Sequence, residues 1–307
     1  MIRIQRILFP TDFFRCADQA LDEALYLARR YRAELHMFHA IVLHAEDPHN
    51  PSHHFPDVDA IQARLEELAH KDMEAALTEH EATGVAIKQV RTRGISAADA
   101  IVGYAQENGI DLIVMGTHGR RGLGHVFLGS VAEEVLRFAP CPVLTIRESE
   151  ESRPAQDRSR VLAPVDFSEH SRNAVRHGLE IAALHGATLQ LLHVIEDSIH
   201  PIFSLTGHGS LFQLKPDLRE KCQGAIMEML AEIAGPEVPL EVHVVAGHAA
   251  RDIVRFADEN GTDLIVIATH GWTGLSHLMM GSVAEKVVRR APCPVLTLKS
   301  FGRSILN

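Results

Sequence analysis

Apolar residues along the chain switch repeatedly between short continuous runs and helical spacing. Residues 4–9 are a compact run of β-formers that Pro10 stops, which predicts a buried strand. Ala20, Leu21, Ala24, Leu25, Leu27 and Ala28 then recur at the spacing of one helical face. Residues 34–42 read as a second strand, about 58–83 as a long amphipathic helix and 85–91 as a third strand. A helix over 97–108 and a fourth strand over 111–115 follow. After a glycine-rich loop, a helix from about Val131 and a strand over 142–146 close the series.

The series then begins again. Gly129 opens GSVAEEVLRFAPCPVLTIR and Gly281 opens GSVAEKVVRRAPCPVLTLK, identical at 14 of 19 positions and 152 residues apart. DLIVMGTHG from Asp111 matches DLIVIATHG from Asp263, and RILFPTDF from Arg6 matches RVLAPVDF from Arg160. A period this long is a duplicated domain rather than a solenoid of short repeats. The expected division is a first domain over 1–148, a linker over 149–159 and a second domain over 160–307. The charged stretch ESEESRPAQDRS between the copies suits an exposed connection.

Strands alternating with helices predict an α/β fold: two tandem Rossmann-like domains, each a five-stranded parallel sheet with helices on both faces. Ligands of such sheets bind beyond the carboxyl ends of the strands, where the strand order reverses. The segments that end strands one and four are therefore the ones to examine.

Composition narrows the partners. The 307 residues are 46% apolar, enough for a core in each half, and carry a net charge of −10, which argues against a nucleic-acid surface. No run approaches the ~20 apolar residues that cross a bilayer, and the first residues lack a secretory signal pattern. The expectation is a cytoplasmic protein with neither a nucleic-acid nor a membrane partner. Cys16, Cys141, Cys222 and Cys293 show no paired metal or redox spacing. Two of them recur in Ala-Pro-Cys-Pro-Val and read as small buried residues beside a strand.

The candidate chemistry lies in the glycine loop. Gly116-Thr-His-Gly119 ends the fourth strand, and nine residues later Gly129-Ser130 opens a helix. Glycines let backbone approach a ligand closely, and a helix start offers unpaired N–H groups and partial positive charge to a phosphate. The loop is neither a Walker A sequence nor G-x-G-x-x-G. Ser130 with Glu133, and Ser282 with Glu285, also match the capping-box pattern, so a cap and a ligand contact both remain readings of those serines. Asp12 and Asp166, each directly after a first strand, read equally as ligand contacts or as caps of the following turn.

G-x-x-G, nine residues, then G-S, on the last crossover of such a unit, resembles the nucleotide signature of ATP-binding universal stress proteins. The opening Pro-Thr-Asp-Phe and the closing Arg-x-Ala-Pro-Cys-Pro-Val-Leu of both halves are similar to that family as well. The resemblance implies that Pro10, Thr11 and Asp12 approach the adenine or sugar edge and that Ala40, after the second strand, faces the base with its backbone. It implies further that Met115, Gly116, Gly119, Gly129, Ser130 and Val131 line the ribose and phosphates. The matching positions of the second half are Asp166, Val194, Ile267, Ala268, Gly271, Gly281, Ser282 and Val283. The implied ligand is ATP with magnesium held mainly by phosphate oxygens. Pairing of the two domains through their last strands, 143–146 and 295–298, would make an intrachain pseudo-dimer, with a homodimer built on it.

The halves differ at the loop. Gly116 becomes Ala268, and Arg120 and Arg121, whose forked donors suit phosphate, become Trp272 and Thr273. The first domain is accordingly expected to be the stronger nucleotide site. No catalytic set is apparent: His118 and His270 sit in the loops, with no nucleophile elbow, zinc-protease helix or phosphate-binding lysine. The histidine-rich loop from His44 to Asp57 is irregular in spacing, and no protein-held metal is expected from it. Two other classes stay open, a nucleotide-independent interaction module and a slow ATPase or autokinase.

Overall fold

The computed structural model describes residues 1–42, 58–80, 82–117, 128–147, 155–196, 215–269, 280–299 and 302–306. The chain forms two compact units, Arg3–Glu148, and Ser149–Asn307 together with Met1–Ile2. In the latter, Ile2 bridges antiparallel to Leu306 and the N-terminal ammonium lies 3.0 Å from Glu180.

The first unit runs β1 (Arg6–Pro10), α1 (Arg15–Tyr31), β2 (Glu34–Val42), α2 (Val58–Glu79), β3 (Ile87–Gly94), α3 (Ala97–Glu107), β4 (Leu112–Gly116), α4 (Ser130–Phe138) and β5 (Val143–Ile146). Its strands lie in the order β3-β2-β1-β4-β5 and every pairing is parallel. The second unit repeats this with β6 (Arg160–Pro164), α5 (Glu169–His185), β7 (Thr188–Glu196), α6 (Leu218–Ala231), β8 (Leu240–Gly247), α7 (Ala249–Glu259), β9 (Leu264–Ala268), α8 (Ser282–Arg290) and β10 (Val295–Leu298). Its order, β8-β7-β6-β9-β10, is the same, again all parallel.

In the first unit α2 and α3 both pack on β2 and β3, so they cover opposite faces of the sheet. That is the consequence of right-handed crossovers that run one way from β1 to β3 and then return to β4. The central strands are buried on both sides, which is why Ile7-Leu8-Phe9 and Ile113-Val114 are continuous apolar runs rather than alternating ones. The order reverses between β1 and β4, and again between β6 and β9. Among the described residues, no helix is long and apolar enough to cross a membrane.

The duplicated helix ends expose one backbone difference. Helix α5 stops at Gly186, which is left-handed at φ 64°, and the next N–H, of Ala187, returns to Ala182 O at 2.8 Å. Helix α1 makes the same turn with Arg32 at φ 54° and Ala33 N–H on Ala28 O at 2.9 Å. A side chain costs about 1 kcal/mol in that conformation. A Cβ on Gly186 would meet nothing within 4 Å, so the penalty there is purely one of backbone angle. Arg32→Gly is expected to raise stability, and Gly186→Ala to lower it, by about 1 kcal/mol each in urea unfolding.

Candidate functional site

Strand β1 ends in register with β2 at Pro10↔Phe38, and the Thr11 N–H still reaches Phe38 O at 2.9 Å. Beyond that point β2 continues through Val42 paired with β3 alone. Peptide groups along a strand turn alternately to its two sides. Ala40, two residues past Phe38, therefore turns its N–H and C=O to the side that β1 has vacated by ending. Ala40 lies within β2, opposite Thr92, inside the strand read over 34–42 and not after it as the resemblance implied; pairing with β3 carries the strand past it. Val194 has the same place in β7, opposite Val245, with the Val165 N–H on Leu192 O at 2.8 Å.

The turn after β1 is built by local hydrogen bonds. Thr11, itself buried, accepts at Oγ1 from the Phe13 N–H at 3.0 Å, and Asp12 Oδ1 accepts from the Phe14 N–H at 3.3 Å. In the second unit Asp166 Oδ1 accepts twice from Ser168, from its N–H at 3.0 Å and its hydroxyl at 2.6 Å. Ser168 caps α5 through the Ser171 N–H at 3.1 Å. The first unit has Phe14 at that cap, which has no hydroxyl to donate. Both aspartates therefore serve their turn through a bond to the N–H two residues on.

The residue after each aspartate is a left-handed phenylalanine, Phe13 and Phe167, both at φ 63°. A bulky side chain there costs about 1–2 kcal/mol, and such outliers gather at functional turns. Each ring leans on a histidine, Phe13 on His39 and Phe167 on His193, with ring centroids 4.8 Å apart in both. His39 Nδ1 lies 2.8 Å from Thr11 O and His193 Nδ1 lies 2.7 Å from Val165 O. A carbonyl only accepts, so Nδ1 carries the proton in both rings. None of these four side chains was expected from the sequence to serve a nucleotide, although Asp-Phe and the histidine before Ala40 or Val194 recur in both halves.

Strand β4 ends at Gly116, and its ladder runs one residue further through the Thr117 N–H to Ile146 O at 2.9 Å. Gly116 is not left-handed and neither is Ala268, so the backbone-angle reason for a glycine falls away. The reason is contact: a Cβ at Gly116 would stand 2.8 Å from Cys16 Sγ and 3.0 Å from Cys16 O, in the first turn of α1. Met115 and Ile267 have buried side chains, so only their backbone can face a ligand.

The helix start corrects the capping-box expectation. Gly129 is the N-cap of α4, its N–H bonded to Thr117 O at 2.8 Å and its carbonyl accepting from Glu133 at 2.9 Å. Ser130 is the first helical residue and is exposed. Gly281 does the same for α8, with 2.6 Å to Thr269 O and 3.0 Å from Glu285, and leaves Ser282 exposed. The N–H groups of Ser130, Val131 and Ala132, and of Ser282, Val283 and Ala284, consequently have no partner inside their helices. Their partial positive charge lies at the carboxyl edge of the sheet.

Pro10, Thr11, Asp12, Ala40, Met115, Gly116, Gly129, Ser130 and Val131 thus share that edge, at the ends of β1, β2 and β4 and the start of α4. Asp166, Val194, Ile267, Ala268, Gly281, Ser282 and Val283 share the equivalent edge of the second unit. Gly119, Arg120, Arg121, Gly271, Trp272, Thr273, His118 and His270 lie outside the described residues, as does the histidine-rich loop 44–57. Among the described residues no group of three or more potential ligands could hold a metal ion. Cys16 and Cys141 are buried, and burial pushes the Cys293 thiol up to about 12, which keeps it protonated and inert.

The model of the universal stress protein family matches residues 3–147 and again 158–299. The chain belongs to that family. The universal stress protein MJ0531 of Methanocaldococcus jannaschii is 34% identical over 142 residues, covering 46% of this chain and 81% of its own length. Universal stress protein Rv2005c of Mycobacterium tuberculosis is 28% identical over 197 residues, 62% of this chain and 63% of its own. The crystal structure of a universal stress protein from Archaeoglobus fulgidus superposes with a TM-score of 0.67 at 20% identity, over 96% of this chain and 98% of that one. That likeness extends the fold over both halves of this universal stress protein.

Proposed function

We propose that this protein binds adenine nucleotide at the carboxyl edge of each sheet, with the first unit the stronger site, and acts as a regulatory protein without demanding chemistry. One observation carries the reading. Each unit turns a strand-edge peptide (Ala40 or Val194) and an α-helix start with a glycine at its cap (Gly129 or Gly281) toward the reversal in strand order. A strand-edge N–H and C=O match the donor and acceptor edge of a purine, and helix N–H groups match phosphate oxygens. A magnesium ion arriving with ATP would be held mainly by the phosphate oxygens.

The asymmetry rests on the replacement of Arg120 and Arg121 by Trp272 and Thr273. The second unit is then the better candidate for a scaffold. Calorimetric titration of ATP–Mg into the full chain should show one tight equivalent and a weaker second. Asp12→Ala should weaken the tight phase about tenfold, about 1.4 kcal/mol, and Asp166→Ala should leave it unchanged. The assignment of the stronger site is wrong if Asp166→Ala alone removes the tight phase, and the nucleotide reading is wrong if no heat develops at all.

A further inference from the structure

We propose that His39 and His193 are positioning residues for the nucleotide, each locking the turn that carries the adjacent aspartate; this rests on the nucleotide reading above. The same arrangement is built twice. In each unit an imidazole from the second strand donates from Nδ1 to the carbonyl just after the first strand, at 2.8 Å to Thr11 O and 2.7 Å to Val165 O. In each, the residue two places further on is a phenylalanine at φ 63°, packed on that imidazole.

The two contacts explain one another. Left-handed backbone is what a phenylalanine avoids, so something outside the turn must hold it there. Both turns have the aspartate Oδ1 accepting from the N–H two residues on, at 3.3 Å in the first and 3.0 Å in the second, but they share neither their other polar residues nor their cap. Thr11 Oγ1 serves the first, where the second has Val165, and Ser168 caps the second, where the first has Phe14. What reaches both turns from a neighbouring strand is the histidine, donating to the same carbonyl and supporting the same ring. The residue between that carbonyl and that ring is Asp12 or Asp166, and the residue after the histidine is Ala40 or Val194. One imidazole therefore ties the aspartate of one strand end to the base-facing peptide of the next. Its action on ligand is indirect: it holds two recognition elements in register before nucleotide arrives, which lowers the ordering cost of binding.

The test compares the full chain with the double variants His39→Leu/His193→Leu and His39→Asn/His193→Asn. The amide nitrogen of asparagine can replace Nδ1 as donor to the same carbonyl, whereas leucine fills space and donates nothing. ATP–Mg affinity is measured by calorimetry, together with amide hydrogen exchange over residues 11–14 and 165–168 without nucleotide. The leucine pair should weaken ATP at least tenfold and speed exchange in both turns, and the asparagine pair should restore affinity to within threefold of wild type. Wild type that binds ATP alongside a leucine pair of equal affinity overturns the positioning role and leaves the nucleotide reading standing. Failure of asparagine to recover what leucine loses also overturns it, because the loss is then one of ring packing and not of donation. Wild type that binds no ATP overturns the nucleotide reading and the positioning role together, whatever the exchange rates show.

Discussion

Between pH 7.5 and pH 4.5 the second unit is expected to lose about 2–3 kcal/mol of stability through His177 alone. This residue is 1% exposed on the inner side of α5. Burial pushes its imidazole down from 6.5 to about 4; the Asn173 carbonyl accepting from Nδ1 at 2.8 Å offsets part of this, as does Glu180, while Arg176 adds to it. Nε2 is buried without a hydrogen-bond partner, so the ring has one satisfied nitrogen and no partner for a second proton. The sign follows from the depressed value. Above about 6.5 both folded and unfolded chains hold the ring neutral and the contribution is fully present. As the pH falls toward 4 the unfolded chain takes up a proton that the folded one refuses, and stability declines until both are charged. The gap between 6.5 and about 4, at about 1.4 kcal/mol per pH unit, sets a ceiling of about 3–4 kcal/mol. His177→Leu, which retains the volume and removes the proton site, should match wild type near neutrality and exceed it progressively in acid. Urea unfolding of both proteins at pH 7.5 and 4.5 reads the difference. A constant difference between the two pH values would mean that His177 titrates normally in the fold.

The order of strands and helices was legible because each element is covered in one of two ways. Central strands buried on both faces wrote themselves as apolar runs, and α1 showed its apolar stripe at helical spacing. Strand β2 was placed at Glu34–Val42, where the structure has it. Edge strand β3, expected over 85–91, starts at Ile87 and extends to Gly94, because its limits follow the register of β2 and not its own half-buried sequence. The helix cap was misread for a related reason. Ser130 and Glu133 satisfy a local pattern, but the bond that selects Gly129 as cap comes from Thr117, twelve residues earlier across the glycine loop. The His39–Thr11 bond spans 28 positions and could not be read from either segment alone. Local chemistry was visible in the sequence; contacts that close the carboxyl edge of the sheet came only with the fold.

The glycine at the end of β4 is the sharpest case, since its sequence reading and its structural reading lead to different experiments. As a ligand-facing glycine, Gly116 would tolerate alanine in the free protein and lose nucleotide. As a contact glycine, it should be intolerant with or without ligand. A Cβ there would meet Cys16 Sγ at 2.8 Å, Cys16 O at 3.0 Å and the Cys16 carbonyl carbon at 3.1 Å. The sulfur is a short side chain and the other two atoms belong to the backbone of a helix, so relief requires the first turn of α1 to back away from the sheet. Overpacking of this kind costs about 2 kcal/mol, and Gly116→Ala should lower the melting temperature of the first unit by about 6 °C. Adding Cys16→Ala removes the sulfur and leaves the peptide oxygen, so it should recover about half of the loss, a coupling that a double-mutant cycle measures. The converse change is mild: Ala268 already carries a methyl in unstrained backbone, and Ala268→Gly should cost no more than about 1 kcal/mol of chain entropy. Gly116→Ala that melts like wild type yet no longer binds ATP would return the glycine to the ligand. Gly116→Ala that melts early and is rescued through Cys16 would make the glycine–alanine difference between the halves a matter of how closely each first helix approaches its sheet. The proposed difference in nucleotide affinity would then rest on the arginines that the second loop lacks.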